Sequence, residues 1–214
     1  MSFTPTDVIA EVRRSVQDTK VPYRYDQAFM LSAVNQCLRR IALIRPDLFN
    51  VIETFACTLG TLQTAPADAI RITEVFRVAD GAAIAEVNRD TLDLALASWP
   101  VGATGPATDW MRHVRNPSAF FVFPPSAADQ QLMIEYARAP ATLATTDAVP
   151  LNDAYFPALV DCVVWWVESQ DSESVSNQRA QMFQQSWTSM LNTTVQTKPM
   201  TDTESGGQPP NTVI

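Results

Sequence analysis

The sequence has 214 residues, of which 46% are hydrophobic and 18% charged, so it has the composition of one large or two small globular domains. The formal net charge of −8 argues against a free-standing nucleic-acid-binding protein, which usually carries a basic patch. The same charge is compatible with a surface that DNA slides past without sticking, because like charges repel.

The three cysteines, Cys37, Cys57 and Cys162, lie far apart and form no CxxC pair, so neither a zinc site nor a thioredoxin-type site is expected. Each has apolar neighbours, which predicts a buried, reduced thiol. The N-terminus has no charged leader before an apolar core, so we expect no signal peptide and synthesis in a reducing cytoplasm. The apolar run Leu159–Val167 is shorter than the about 20 residues that span a bilayer, so no membrane partner is expected.

Two helices are predicted before residue 48. Thr4 is a candidate N-cap, because Pro5 follows at the first helical position and Asp7 places an acid in the first turn. The second helix is predicted over 26–44, and Pro46 ends it. Its predicted core-facing residues are Met30, Val34, Cys37, Leu38, Ile41 and Ile44.

From Phe49 the apolar pattern changes to a period of two, which predicts a strand as far as Leu59. Gly60-Thr61 is interpreted as a hairpin turn. Asp80-Gly81 predicts a type I′ hairpin turn, because both central residues of such a turn need positive φ. The other predicted elements are strands at 70–78, 84–87, 119–123 and 131–136, a short helix at 89–97 and a loop-rich stretch at 98–117.

Residues 151–191 carry a strong helical signal. Asn152 or Asp153 can serve as the N-cap. The run Leu159–Val167 is apolar on every side, so this helix should be buried on more than one side. A polar corner near 168–174 separates it from a second amphipathic run, which is compatible with two helices or with one kinked helix.

The predicted fold is therefore α+β, with a helical layer from both chain ends and an inserted antiparallel β sandwich or barrel-like domain. The N-terminal helices occupy 1–48 and the inserted β domain 49–150. The C-terminal helices occupy 151–192 and pack on the N-terminal ones. Residues 193–214 are rich in Thr, Pro, Ser and Gly and should form an extended or flexible arm.

The sequence contains no P-loop, GxGxxG, GxSxG or HExxH motif, so we expect no enzyme, no cofactor and no metal site. His113 is the single histidine, and no nucleophile motif accompanies it, so we interpret it as an ordinary surface residue. Asp171 and Glu173 are close enough in sequence to suit an acid/base pair. A solvated helix cap or a salt bridge is the simpler interpretation of these two acids.

Arginine pairs and tryptophans are the candidates for intermolecular contact. The arginines suit either phosphates or the acids of a neighbouring chain, and the acidic net charge favours the second. The C-terminal tryptophans suit either the core or an interface hot spot. The candidate interface residues are Arg13, Arg14, Arg39, Arg40, Trp165, Trp166 and Trp187.

A series of short motifs along the chain is more specific than any one of them. The series comprises Arg45–Phe49, Asp80-Gly81, Phe121–Pro125, Tyr136–Pro140, Leu151–Val160 and Gln170–Glu173. In this order and spacing it resembles the head-to-tail adaptor (tail tubular protein A type) proteins of short-tailed bacteriophages. The resemblance covers about residues 5–192.

This resemblance implies a structural virion protein at the head-to-tail interface, made in the host cytoplasm. It implies a ring, typically of twelve copies, that joins the portal protein to the tail nozzle protein and encloses the DNA channel. The genome would pass through without specific binding, and no catalysis is implied. In such an assembly the candidate interface residues would contact a neighbouring subunit or the portal. Trp99 and Trp110 would lie in a candidate loop that faces the tail.

The alternative hypothesis is a small-molecule or carbohydrate-binding accessory module of a virion or cell-surface assembly. Aromatic side chains in loops beside a small sandwich suit sugar stacking. The residues that would carry it are Trp99, Trp110 and Phe120.

Overall fold

The computed structural model describes residues 2–170 and 177–196, which form five α-helices, seven β-strands and three 3₁₀ turns. The predicted α+β class is confirmed. The helices are α1 Pro5–Ser15, α2 Gln27–Ile44, α3 Arg89–Ala95, α4 Phe156–Gln170 and α5 Asn177–Gln196. The strands are β1 Asn50–Ala56, β2 Gly60–Thr64, β3 Ala69–Val78, β4 Ala85–Glu86, β5 Asp109–Arg112, β6 Ala119–Ser126 and β7 Gln131–Arg138. The 3₁₀ turns are Pro46–Phe49, Trp99–Val101 and Asp153–Tyr155.

Helices from both ends of the chain share one apolar core, in which α4 contacts α1, α2 and α5. Leu159, Val163 and Val164 of α4 are fully buried, as expected for a helix that is apolar all round. The predicted cap at Thr4 is confirmed. Its side-chain oxygen accepts from the Asp7 amide, and the Asp7 carboxylate accepts from the Thr4 amide at 2.8 Å.

Some helix predictions need correction. Ile44 was predicted to face the core, but 48% of it is exposed, because α2 ends at this residue and turns into Arg45. α5 continues to Gln196, past the predicted start of the arm at residue 193. The rest of that arm, 197–214, lies outside the described residues, and so do Asp171, Glu173 and the exact helix break.

The inserted β domain consists of two sheets packed face to face. One has the order β1-β7-β3 and the other β2-β6-β5-β4. All pairs are antiparallel except β4 with β5, which is parallel. Tyr136, Phe120 and Trp110 fill the core between the sheets. The sheets do not close on each other, so the domain is an open sandwich and the barrel alternative is wrong.

The two predicted hairpin turns differ from the observed chain path. Gly60, with φ of +111°, lies where the chain leaves one sheet for the other, so β1 and β2 do not pair. At Asp80-Gly81 the chain does turn back, and the Ile84 amide donates to the Phe76 carbonyl at 2.9 Å. Neither turn residue has positive φ, so the turn is not type I′, and the returning residues continue into the second sheet.

The three thiols are free and buried, as predicted. Cys37 on α2 and Cys162 on α4 are fully buried in the helical core. Burial raises the pKa of the Cys37 thiol well above its usual value, because the thiolate loses its hydration. Burial also raises the pKa of Cys57. Within 2–170 and 177–196, no helix has the length and apolar content needed to cross a membrane.

Arg45 joins the helical layer to the sandwich. It follows the last residue of α2 and is nine-tenths buried. Its Nε and Nη2 donate to the Asp47 carboxylate at 2.9 and 2.7 Å, and its Nη1 donates to the Leu191 carbonyl of α5. One side chain thus links the end of α2, the last turns of α5 and the 3₁₀ turn that leads into β1.

Candidate assembly interface

Four of the predicted interface residues form one group, here called the tryptophan cluster: Arg40, Trp165, Trp166 and Trp187. α2 and α4 pack together, which places the Arg40 guanidinium 4.4 Å from the Trp166 ring centroid and 4.9 Å from that of Trp165. The Trp165 and Trp187 rings lie 6.0 Å apart, so α5 completes the group. A cation over indole rings gains electrostatic attraction from their negative faces.

Part of the tryptophan cluster is accessible from outside. Trp187 is 4% exposed and belongs to the core, whereas Arg40, Trp165 and Trp166 are half-buried. Arg40 forms no ion pair within the described part of the chain. Leu43, one turn further along α2, is 75% exposed. The surface therefore offers a guanidinium without an ion pair among the described residues, two indole edges and an exposed leucine. Arginine and tryptophan are the residue types enriched at interface hot spots.

The remaining predicted arginines lie elsewhere and differ in availability. Arg13 is buried, and its guanidinium donates to Asp18 at 2.6 Å and to the Tyr25 carbonyl at 2.9 Å, so it is not accessible to a partner. Arg14 is exposed and pairs with Glu11 at 2.7 Å. Arg39 is exposed and donates to Thr142 Oγ1 at 2.8 Å. An interface role for any of the seven residues stays a prediction.

The aromatic residues assigned to the tail-facing loop are buried. Trp99 is 2% exposed and donates from Nε1 to Asp93 at 2.6 Å. Trp110 is 1% exposed and lies in β5, so its predicted loop conformation is wrong. A strand of four residues is too short to show a period of two. Because Phe120 is also fully buried, these rings offer no face for sugar stacking.

His113 stabilises the turn between β5 and β6. Its Nδ1 accepts from the Asn116 amide at 2.9 Å and from the Arg115 amide at 3.2 Å. Its ring stacks on Phe121 with centroids 5.4 Å apart. These contacts give the histidine a structural role in the turn. Among residues 2–170 and 177–196, no group of three or more His, Cys, Asp or Glu side chains could hold a metal ion.

A cavity of about 330 Å³ lies between the helical layer and the sandwich and is here called the junction cavity. It was not predicted from the sequence. It is formed by segments that are nearly a hundred residues apart, so no local pattern shows it. Arg138 lies at its edge and pairs with Glu53 and Asp68. Its lining is mainly apolar and consists of Leu48, Phe49, Asn50, Val51, Arg138, Ala139, Pro140, Ala141, Leu143, Ala148 and Pro150.

A second feature without a sequence signal is the exposure of α3. The prediction of a short helix after Asn88 is confirmed, and the Asn88 side chain accepts from the Asp90 amide at 2.9 Å. None of the seven residues of α3 is buried, and Leu94 is 90% exposed.

Comparison with known proteins identifies a family. A family model described as SU10 adaptor protein matches residues 3–213. The matched region includes the helical layer and the β sandwich. No match to a curated protein was found.

Proposed function

The chain belongs to the SU10 adaptor protein family, and from this we propose that it forms the ring that joins portal to tail nozzle and encloses the DNA channel. Membership makes it a structural component of a bacteriophage virion that interacts with other parts of the connector. The resemblance to phage head-to-tail adaptors is thereby confirmed at the level of the family. The observation that carries the proposal is the family match over nearly the whole chain.

The tryptophan cluster supports a protein partner at the helical layer. A half-buried arginine that lies over two indoles and forms no ion pair within 2–170 and 177–196 suits an incoming carboxylate. Closure of such a contact removes water from the guanidinium and the rings together, which strengthens the charged hydrogen bonds. In the proposed assembly the partner at this surface is the portal or a neighbouring subunit.

The charge of the chain supports the channel part of the proposal. A subunit with a formal net charge of −8 repels a phosphate backbone, so a ring of such subunits lets the genome pass without holding it. In the proposed connector, as in the resembling adaptors, twelve copies surround the channel. The proposed role uses no catalytic group and no cofactor.

To test this proposal, the purified protein is mixed with the portal ring from the same genome, and the complex is imaged by electron microscopy. We expect an added collar of density with the symmetry of the portal, which also gives the copy number. Arg40→Glu should reduce collar occupancy, whereas Arg115→Glu, which reverses an exposed arginine in the turn between β5 and β6, should leave it unchanged. A protein that neither adds a collar nor occurs in purified particles by mass spectrometry would refute the proposal.

A further inference from the structure

Helix α3 is not covered by any part of the chain that the structure describes, since none of its residues is buried. A helix this short is marginal in water unless another surface packs on it. Its local support is the Trp99–Asp93 hydrogen bond and the Arg89 guanidinium over the Phe121 ring at 5.2 Å. Leu94 faces solvent, and Asp90 precedes it by four residues, so both lie on one helical face. The Asp90 carboxylate forms no ion pair within the described residues.

The junction cavity complements this helical face in both polarity and charge. Its walls are mainly apolar, and two exposed arginines without an ion pair in the described part of the chain flank it. Arg39 donates to Thr142, which lies between the lining residues Ala141 and Leu143. Arg71 is paired in register with Ala137, next to the lining residue Arg138. The cavity is at the small end of binding sites, which suits an apolar side chain with an acid beside it.

We infer that α3 of one copy docks in the junction cavity of a second copy, an inference that rests on the proposed ring. Leu94 enters the apolar cavity, and Asp90 pairs with an arginine of the rim. The occupant is a second copy of this chain because the exposed acid and leucine of α3 complement the positive charge of the rim arginines and the apolar lining of the cavity. Salt bridges at the rim set the orientation of the contact, and burial of the leucine in the cavity removes apolar surface from water.

The contact is heterologous, since the surface on one copy differs from the surface on the next. The residues after α3 pack on the sheet that contains β6, where the ring centroids of Trp99 and Phe121 lie 5.9 Å apart. The cavity opens on the other sheet, where β1 and β7 meet the 3₁₀ turn 46–49 and the segment that follows β7. Two different surfaces on each chain let every copy bind two neighbours. Heterologous contacts that close on themselves give rings.

Interchain disulfide trapping tests the contact in connectors or particles assembled from the full chain. Leu94→Cys and Ala141→Cys are introduced together, and the native cysteines give little background because all three are buried. We expect a ladder of cross-linked species from dimer upward under oxidising conditions. Each single variant should give none, and neither should Met182→Cys with Ala141→Cys, which starts from another exposed side chain.

Charge reversal tests the rim. Asp90→Arg and Arg39→Asp should each weaken association by about tenfold, and the combined variant should restore it to within about threefold of the parent. A ring without the ladder would overturn this contact and leave the adaptor role standing. A single cross-linked dimer would also overturn it, because it indicates an isologous contact. If the chain does not enter connectors, the adaptor role fails, and trapping in concentrated free protein decides the inference alone.

Discussion

Arg13 and Arg14 are adjacent in the sequence, yet the structure predicts opposite consequences for their replacement. Only 9% of the Arg13 side chain and 5% of its partner Asp18 are exposed. Arg13→Met keeps the apolar stem but removes the guanidinium that neutralises the buried Asp18 carboxylate, which still accepts from the backbone amides of Arg24 and Tyr25. Removing one partner of a buried ion pair costs about 3–5 kcal/mol, so we expect a loss of that size.

Urea unfolding of the purified protein, followed by tryptophan fluorescence, measures the change. Arg14→Met is the matched control, because 70% of that side chain is exposed and an exposed pair contributes about 0–1 kcal/mol. Adding Asp18→Asn to Arg13→Met should recover part of the loss, since the buried charge is then gone. Equal effects of the two arginine variants, or a loss below about 1 kcal/mol for Arg13→Met, would refute the argument that burial makes this pair structural.

The remaining predictions concern acid stability, packing and thiol reactivity. The hydrogen bond from Arg45 lowers the pKa of Asp47, so the stability it adds is present above the unfolded pKa of about 3.9 and is lost as the pH falls through the lower folded pKa. Asp47→Asn should therefore flatten the fall of the urea midpoint below pH 4, and an unchanged slope would contradict this. Leu159→Ala should cost about 3–5 kcal/mol because the residue is fully buried, whereas Leu43→Ala, at an exposed site, should change the free energy of unfolding by less than about 0.5 kcal/mol. Cys37 should react with a thiol reagent at pH 8 only after urea is added, and labelling of the native protein would show that the core opens.

Local signals were sufficient to predict the helices. The cap at Thr4, the stop before Pro46 and the apolar run in α4 each express a rule that acts within a few residues, and each is confirmed. Strand pairing is different, because β1 pairs with β7, and Asn50 lies opposite Ala137. Their pairing depends on the shared core and leaves no trace in either segment alone.

The candidate site was predictable only in part. Residue type alone predicted interface roles for Trp165, Trp166 and Arg40. The packing of α2 on α4 brings these three side chains together. Arg13 was predicted to lie at the surface because arginine is charged. It is buried because the chain turns back after α1, where Gln17 has φ of 59°, and carries Asp18 beneath the helix.

The position of Arg45 has a mechanical consequence. The Leu191 carbonyl that it holds lies five residues before the end of α5, and the Asp47 carboxylate lies three residues before β1. Tension on the chain beyond Gln196 therefore has a direct path to the first strand of the sandwich through the Arg45 guanidinium. The helical layer and the sandwich should therefore tilt together under load. A displacement imposed on the helical layer is then transmitted to the sandwich.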